Sequence, residues 1–184
     1  MRRFFIDPET ADNPVVSITG SEARHIKNVL RLKPGDTVRL FDGTGVEYAA
    51  AIVHLTAGRA ELSIISKVTT AAESPIELAI AQGYIKEKKM DSLIRPLCEL
   101  GMSRWMPFIS QRSVPRPDKK RLDARLERWQ KIAREALKQC RRSVLPNISA
   151  PVSFDEVLEF GRSCDLKILF WEQETRVLDR KALT

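Results

Sequence analysis

Residues 76–109 read "IELAIAQGYIKEKKMDSLIRPLCELGMSRWMPFI". The first eight, "IELAIAQG", are apolar almost throughout, as a strand buried on both faces would be. Met90, Leu93, Ile94 and Leu97 then recur at helical spacing, and Gly101 follows as a stop. "RWMPFI", residues 104–109, reads as a second strand, interrupted by Pro107. Strand, helix and strand in about thirty residues make a parallel crossover unit, which is the signature of an α/β sheet. Pro96 removes a backbone donor and is expected to kink or split the helix. The start of that helix is charged the wrong way round. Lys86, Lys88 and Lys89 crowd the first turn, where the helix dipole disfavours cations by a few tenths to about 1 kcal/mol each. Either this is a solvated face or an anion belongs there.

Downstream, "DKKRLDARLERWQKIAREALKQC" is the strongest helix. Leu122, Leu126, Trp129, Ala133, Ala136 and Cys140 form one apolar stripe, and the other faces are charged. "SFDEVLEFG" reads as a short helix capped by Ser153, with Glu156 completing a capping box. "LKILFW", residues 166–171, is expected as a third buried strand. The ligand crevice of such a sheet lies at the carboxyl ends of its strands. Three strands make a small sheet, so the sequence is expected to end before its domain does and to leave apolar faces uncovered over residues 150–184.

Upstream, residues 1–70 read mainly as strand. "MRRFFI" and "VVSIT" are short strands, and "AELSIISKV" alternates apolar and polar. "TVRLFDGTGVEYAAAIV" is a hairpin about Asp42-Gly43, and a hairpin turn outweighs a phosphate cradle as the reading of "DGTG". One helix intervenes, with Ser21 as cap, Ala23, Ile26, Val29 and Leu30 on one face, and Pro34-Gly35 as the stop. About five strands and one helix suggest a closed or half-closed barrel. "TTAAESP", residues 69–75, reads as a linker between this unit and the next.

The chain of 184 residues is 43% hydrophobic, enough for real cores, and no apolar run is long enough to span a membrane. No signal-peptide pattern follows the two N-terminal arginines, so the expected location is the cytoplasm. Cys98, Cys140 and Cys164 are odd in number and far apart, and His25 and His54 are remote from them, so neither a disulfide framework nor a metal site is expected. The net charge of +7 is uneven: residues 86–142 hold 17 Lys and Arg against 7 Asp and Glu. That is the footprint of a polyanionic partner, usually nucleic acid. Nucleotide-binding glycine motifs and the nucleophile elbow are absent from the sequence.

Four segments in order are more specific than any pattern. "MRRFF", "EARHIKNVLRLKPGDTVRLFDGTGVEY", "AQGYIKEKKMDSLIRPLCELGMSRWMPFISQRSV" and "RLERWQKIAREALKQCRRSVLPNI" closely resemble the RsmE family, methyltransferases that modify N3 of a uridine in 16S ribosomal RNA. The resemblance runs through nearly all of residues 1–160. It implies an N-terminal PUA-like β-barrel over residues 1–70 and a SPOUT-type parallel α/β methyltransferase domain over 75–184. It further implies S-adenosylmethionine as cofactor, the small ribosomal subunit as partner, and a homodimer. The family's Gly-rich cofactor loop is not found in the sequence, which keeps open a second reading: a non-catalytic RNA-binding relative. Two local departures are Lys138-Gln139, where the family usually has Glu-Gln, and Pro96, where it has Lys.

By the same resemblance Arg112, in "SQRSV", holds RNA near the reacting base and is the expected catalytic residue. Arg2, Arg3, Arg24, His25 and Arg31 match family positions that grip RNA. Lys86, Lys88 and Lys89, at the substrate edge, would meet a phosphate. Phe170, Trp171 and Glu172 are expected to flank the adenosine of the cofactor.

Overall fold

The computed structural model describes residues 2–68, 73–111, 113, 118–171, 173–175, 177 and 179, without the side chain of Lys119. The N-terminal unit is a five-stranded sheet in the order β1-β3-β4-β5-β2. Its strands are β1 (Arg3–Phe5), β2 (Val15–Thr19), β3 (Thr37–Phe41), β4 (Glu47–Leu55) and β5 (Arg59–Val68). All neighbours are antiparallel except β1 and β3. Alternation puts Val16, Ile18, Val38, Leu40, Ala50, Ile52, Ala60 and Leu62 in one core, each large aliphatic side chain contributing about 1.5–3 kcal/mol. Register shifts between β4 and β5 at Ala49/Ala50 and Ile52/His54 bend the pair, which curls the sheet into a half-barrel. Helix α1 (Gly20–Arg24) runs into a wide turn at His25–Val29 and plugs the core with Ala23 and Ile26.

The expected hairpin forms. Asp42 is buried and its carboxylate accepts from the Thr44 N–H at 2.8 Å and the Tyr48 hydroxyl at 3.0 Å. Burial, then the bond to Asp42, pushes the Tyr48 hydroxyl up to about 12. The "DGTG" loop does more than turn. Leu145 N–H donates to Gly43 O at 2.8 Å, and Gly45 N–H donates to Ser143 O at 3.1 Å, so the loop pairs with the second unit. A side chain at Gly43, where φ is +85°, would meet the Leu145 Cβ at 3.1 Å.

The second unit is a parallel sheet centred on β7 (Met102–Ile109). On one side lies β6 (Leu78–Gly83); on the other lie β8 (Asn147–Ile148) and β9 (Val152–Ser153). Pro107 is accommodated within β7, opposite Gln82. Helix α2 spans Glu87–Glu99 unbroken. Pro96 falls in its last turn, where little helix follows, so the expected split does not occur. Helix α3 (Leu122–Cys140) buries Trp129, Ala133, Ala136 and also Leu137, which the expected stripe lacked. Trp105 meets Trp129 edge-on at 4.8 Å between ring centres, in a core shared with Met90, Ile94 and Met102. Helix α4 (Phe154–Gly161) carries the capping box read from the sequence. None of the described helices is long and apolar enough to cross a membrane.

One expectation is overturned. Residues 166–171 form no strand, and Leu169 and Phe170 are more than 80% exposed. The third place in the parallel sheet goes to β8 and β9, whose few ladder bonds to β7 satisfy the edge that "LKILFW" was expected to take. An apolar run becomes a strand only where a neighbour offers free donors and acceptors.

Candidate nucleic-acid interface

The helical turn of the half-barrel is built to present cations. Ala23 and Ile26 anchor it, while Arg24, His25, Lys27 and Arg31 are exposed. Leu30 N–H bonds to His25 O at 3.0 Å, a π-type turn of the kind that recurs at functional sites. Arg31 ends it with φ +54°, a left-handed conformation that an L side chain adopts at a cost of about 1 kcal/mol or more. Arg2 is also exposed. None of Arg2, Arg24 and Arg31 makes a salt bridge with the described residues.

Arg3 has a different job from the one expected. Its side chain is 7% exposed and pairs with Glu47. It donates to Leu137 O at 2.8 Å, Arg142 O at 3.0 Å and Ser143 Oγ at 2.9 Å, and lies over the Phe41 ring. β1 thus caps the last turn of α3, and both terminal nitrogens of the guanidinium are engaged in the seam between the two units, while its buried Nε has no partner among the described residues. Arg142, from the far side, binds Cys98 O, Met102 O and Glu73. Glu73 also accepts from the Ser143 N–H at 2.6 Å and the Val144 N–H at 2.9 Å. Burial opposes ionisation of Glu73, but those two N–H groups and Arg142 outweigh it and hold its carboxyl below the usual value. Sequence reasoning missed Glu47, Glu73, Arg142 and Ser143 altogether. Nothing local marks them, because their partners lie up to about 140 residues away in the chain.

Lys86, Lys88 and Lys89 follow the carboxyl end of β6, at the start of α2. Lys86 caps α2 with no side-chain bond, and Lys86, Lys88 and Lys89 are exposed. Glu87 occupies the first turn and pairs with Arg125, so the helix supplies one anion of its own. After β7, Ser110 and Ser113 close a turn, with their hydroxyls 3.0 Å apart and Ser113 N–H on Ser110 O at 3.1 Å. Arg112 and Glu172 lie outside the described residues. Phe170 and Trp171 are exposed, 84% and 55%, and neither stacks on another described ring. Cys98, Cys140 and Cys164 are free thiols. Burial pushes that of Cys98 up to about 11.

Known proteins resemble this chain along nearly its whole length. A family model described as an RNA methyltransferase domain matches residues 72–184, and one described as an RNA methyltransferase PUA domain matches residues 18–65. The ribosomal RNA small subunit methyltransferase E of Bacillus subtilis is 31% identical over 96% of this chain and 70% of its own length. The protein of the same name from Synechocystis is also 31% identical, over 85% of this chain and half of its own length. Among solved structures, the methyltransferase E of Neisseria gonorrhoeae bound to S-adenosyl methionine superposes with a TM-score of 0.77. It is 33% identical over 86% of this chain and 65% of that one. A Legionella pneumophila putative methyltransferase in complex with the same cofactor gives 0.76 at 26% identity, over 89% of this chain and 66% of that one. A half-barrel joined through a buried seam to a parallel α/β layer, with both layers matched by their own models, places the chain in the RNA methyltransferase family that includes ribosomal RNA small subunit methyltransferase E.

Proposed function

We propose that the chain serves methyl transfer from S-adenosylmethionine to N3 of a uridine in 16S ribosomal RNA of the small subunit. The observation that carries this reading is the shared architecture with the Neisseria enzyme, which was solved with that cofactor. In this reading residues 1–70 are the PUA-like RNA-binding barrel and residues 75–184 the SPOUT-type methyltransferase unit, acting in the cytoplasm as a homodimer. The exposed apolar side chains Leu158, Leu166 and Leu169 support pairing with a second copy.

The target nitrogen must lose its proton, and the anion that develops needs a cation or donor beside it. The base must also leave its stack to be reached. Arg112, in "SQRSV", takes the role of stabilising that anion. Lys86, Lys88 and Lys89 hold a phosphate at the start of α2, where free backbone amides add to their charge. Arg2, Arg24, His25 and Arg31 hold the RNA backbone on the barrel side. The open ring faces of Phe170 and Trp171 suit an adenine, with Glu172 beside them. When bound, the cofactor supplies an electrophilic methyl group on a sulfonium.

The test is transfer of tritiated methyl groups onto small ribosomal subunits that lack the modification. Incorporation at one uridine is expected, and Arg112→Ala should lower kcat about a hundredfold. RNA binding without any incorporation would favour the non-catalytic RNA-binding reading instead.

A further inference from the structure

A cleft of about 590 Å³ lies between the helical turn of the barrel and the outer face of α3. Its size falls within the range of about 300–1,000 Å³ typical of binding sites. Phe5, Ser21 and His25 line one wall; Gln130, Lys131 and Arg134 line the other. Three carboxylates also line it, and two of them are already engaged. Lys138 reaches across the cleft to Glu22 and holds Glu135 at 2.8 Å. Burial works against the Lys138 charge, but Glu135 and Glu22 together outweigh it and raise its pKa.

The other charged groups are uncommitted. Lys131, Arg134 and Glu127 make no salt bridge with the described residues. The Arg134 guanidinium lies 4.5 Å from the centre of the Phe5 ring, and its Nε has no hydrogen-bond partner among the described residues. A guanidinium held over a ring loses less freedom when its planar fork takes a phosphate. Lys131 stands one turn before Arg134, on the same side of α3. Across the cleft, His25 sits in the π-type turn, between the exposed Arg24 and Lys27.

We propose that this cleft holds the phosphodiester backbone of a single-stranded RNA segment, with Lys131 and Arg134 on one wall and His25 on the other. The inference rests on the RNA methyltransferase reading and extends it. RNA is gripped across the seam by residues of both units, including two on α3 that resemblance to the family did not bring forward. The lining balances three basic side chains against three carboxylates, but Lys138 is taken by Glu22 and Glu135, which leaves Lys131 and Arg134 as the cations free to track a backbone, the usual way to hold a single strand. Glu127 faces the same space and opposes the anion.

The experiment is a fluorescence-anisotropy titration of a labelled single-stranded RNA oligonucleotide with the full chain, repeated over a series of salt concentrations. Lys131→Gln carries the test, because that side chain is exposed and makes no described bond. Lys131→Gln and Arg134→Gln are each expected to weaken binding about fivefold and to flatten the salt dependence by roughly 0.7 in log–log slope. Glu127→Gln should tighten binding, a gain that a merely structural role would not give. Arg162→Gln, on α4, should change neither quantity. Wild-type binding left unaltered by Lys131→Gln and Arg134→Gln would overturn this inference and leave the methyltransferase reading standing. A wild-type chain that binds no RNA even at low salt would overturn both.

Discussion

The seam between the two units and the stretch at residues 165–171 are opposites. The seam is charged and closed: Arg3, Glu47, Glu73 and Arg142 are largely removed from water, Arg3 and Glu47 reach Leu137 and Ser143 across it, and Glu73 of the connecting segment is held by Arg142 and Ser143. The stretch is apolar and open, with Leu166, Ile168, Leu169, Phe170 and Trp171 all exposed. Hydrophobicity alone would have reversed the two. Burial follows from having somewhere to pair, and the charged residues found their places because backbone carbonyls, N–H groups and opposite charges were waiting there.

Removing one member of the seam is expected to have the largest effect. Arg3→Ala leaves Glu47 buried with only the Ser143 hydroxyl and takes the cap from α3. The loss should be about 3–5 kcal/mol in chemical unfolding. A loss below about 1 kcal/mol would mean that the seam is a contact and not a clamp.

Glu73→Gln comes next, costing about 1–3 kcal/mol at neutral pH. Because the folded carboxyl sits below its ordinary value of 4.5, its contribution is present above that pH and is lost as the pH falls through the lowered value. The variant should therefore lose less stability than the wild type on acidification. Equal acid sensitivity in melts from neutral to pH 3 would remove Glu73 as the cause.

Two arginines in left-handed conformations sharpen the comparison further. Arg31 has φ +54° and Arg141 has φ +65°, and each ends a helical segment. Glycine at either site should stabilise the chain by about 1 kcal/mol. Only Arg31→Gly should also weaken RNA binding, so matched affinities for the two variants would remove Arg31 from the RNA interface. The smallest effect belongs to the open stretch. Leu169→Ser should shift the stability of the single chain by less than about 0.5 kcal/mol while weakening its pairing with a second copy, read by sedimentation.

Local rules carried the sequence reading a long way. Alternation broken only at Ile65 gave β5, the helical stripe gave α3, and Ser153 with Glu156 marked the start of α4, each because the signal and its cause lie within one turn or one face. β8 and β9 are two residues long and leave no periodic trace. "LKILFW" has a strong apolar signal, but a run of six cannot specify its own ladder partner. At the candidate interface, Arg24, His25 and Arg31 came only from the resemblance to the RsmE family; what the pattern itself made legible was the apolar face of that turn at Ala23 and Ile26. Arg3 was misread because nothing in "MRRFF" distinguishes the arginine that faces water from the one that reaches Leu137.

The Arg3 contact also ties the structure to the order of synthesis. β1 leaves the ribosome long before α3, since the Leu137 carbonyl that Arg3 caps is 134 residues further along. At about 5–20 residues per second, that interval is several seconds to half a minute. Through it the half-barrel can assemble its own core, but Arg3 and Glu47 face an unfilled side. A strand made before α3 is thus completed only with it, and the nascent barrel carries an open charged flank until α3 arrives to close it.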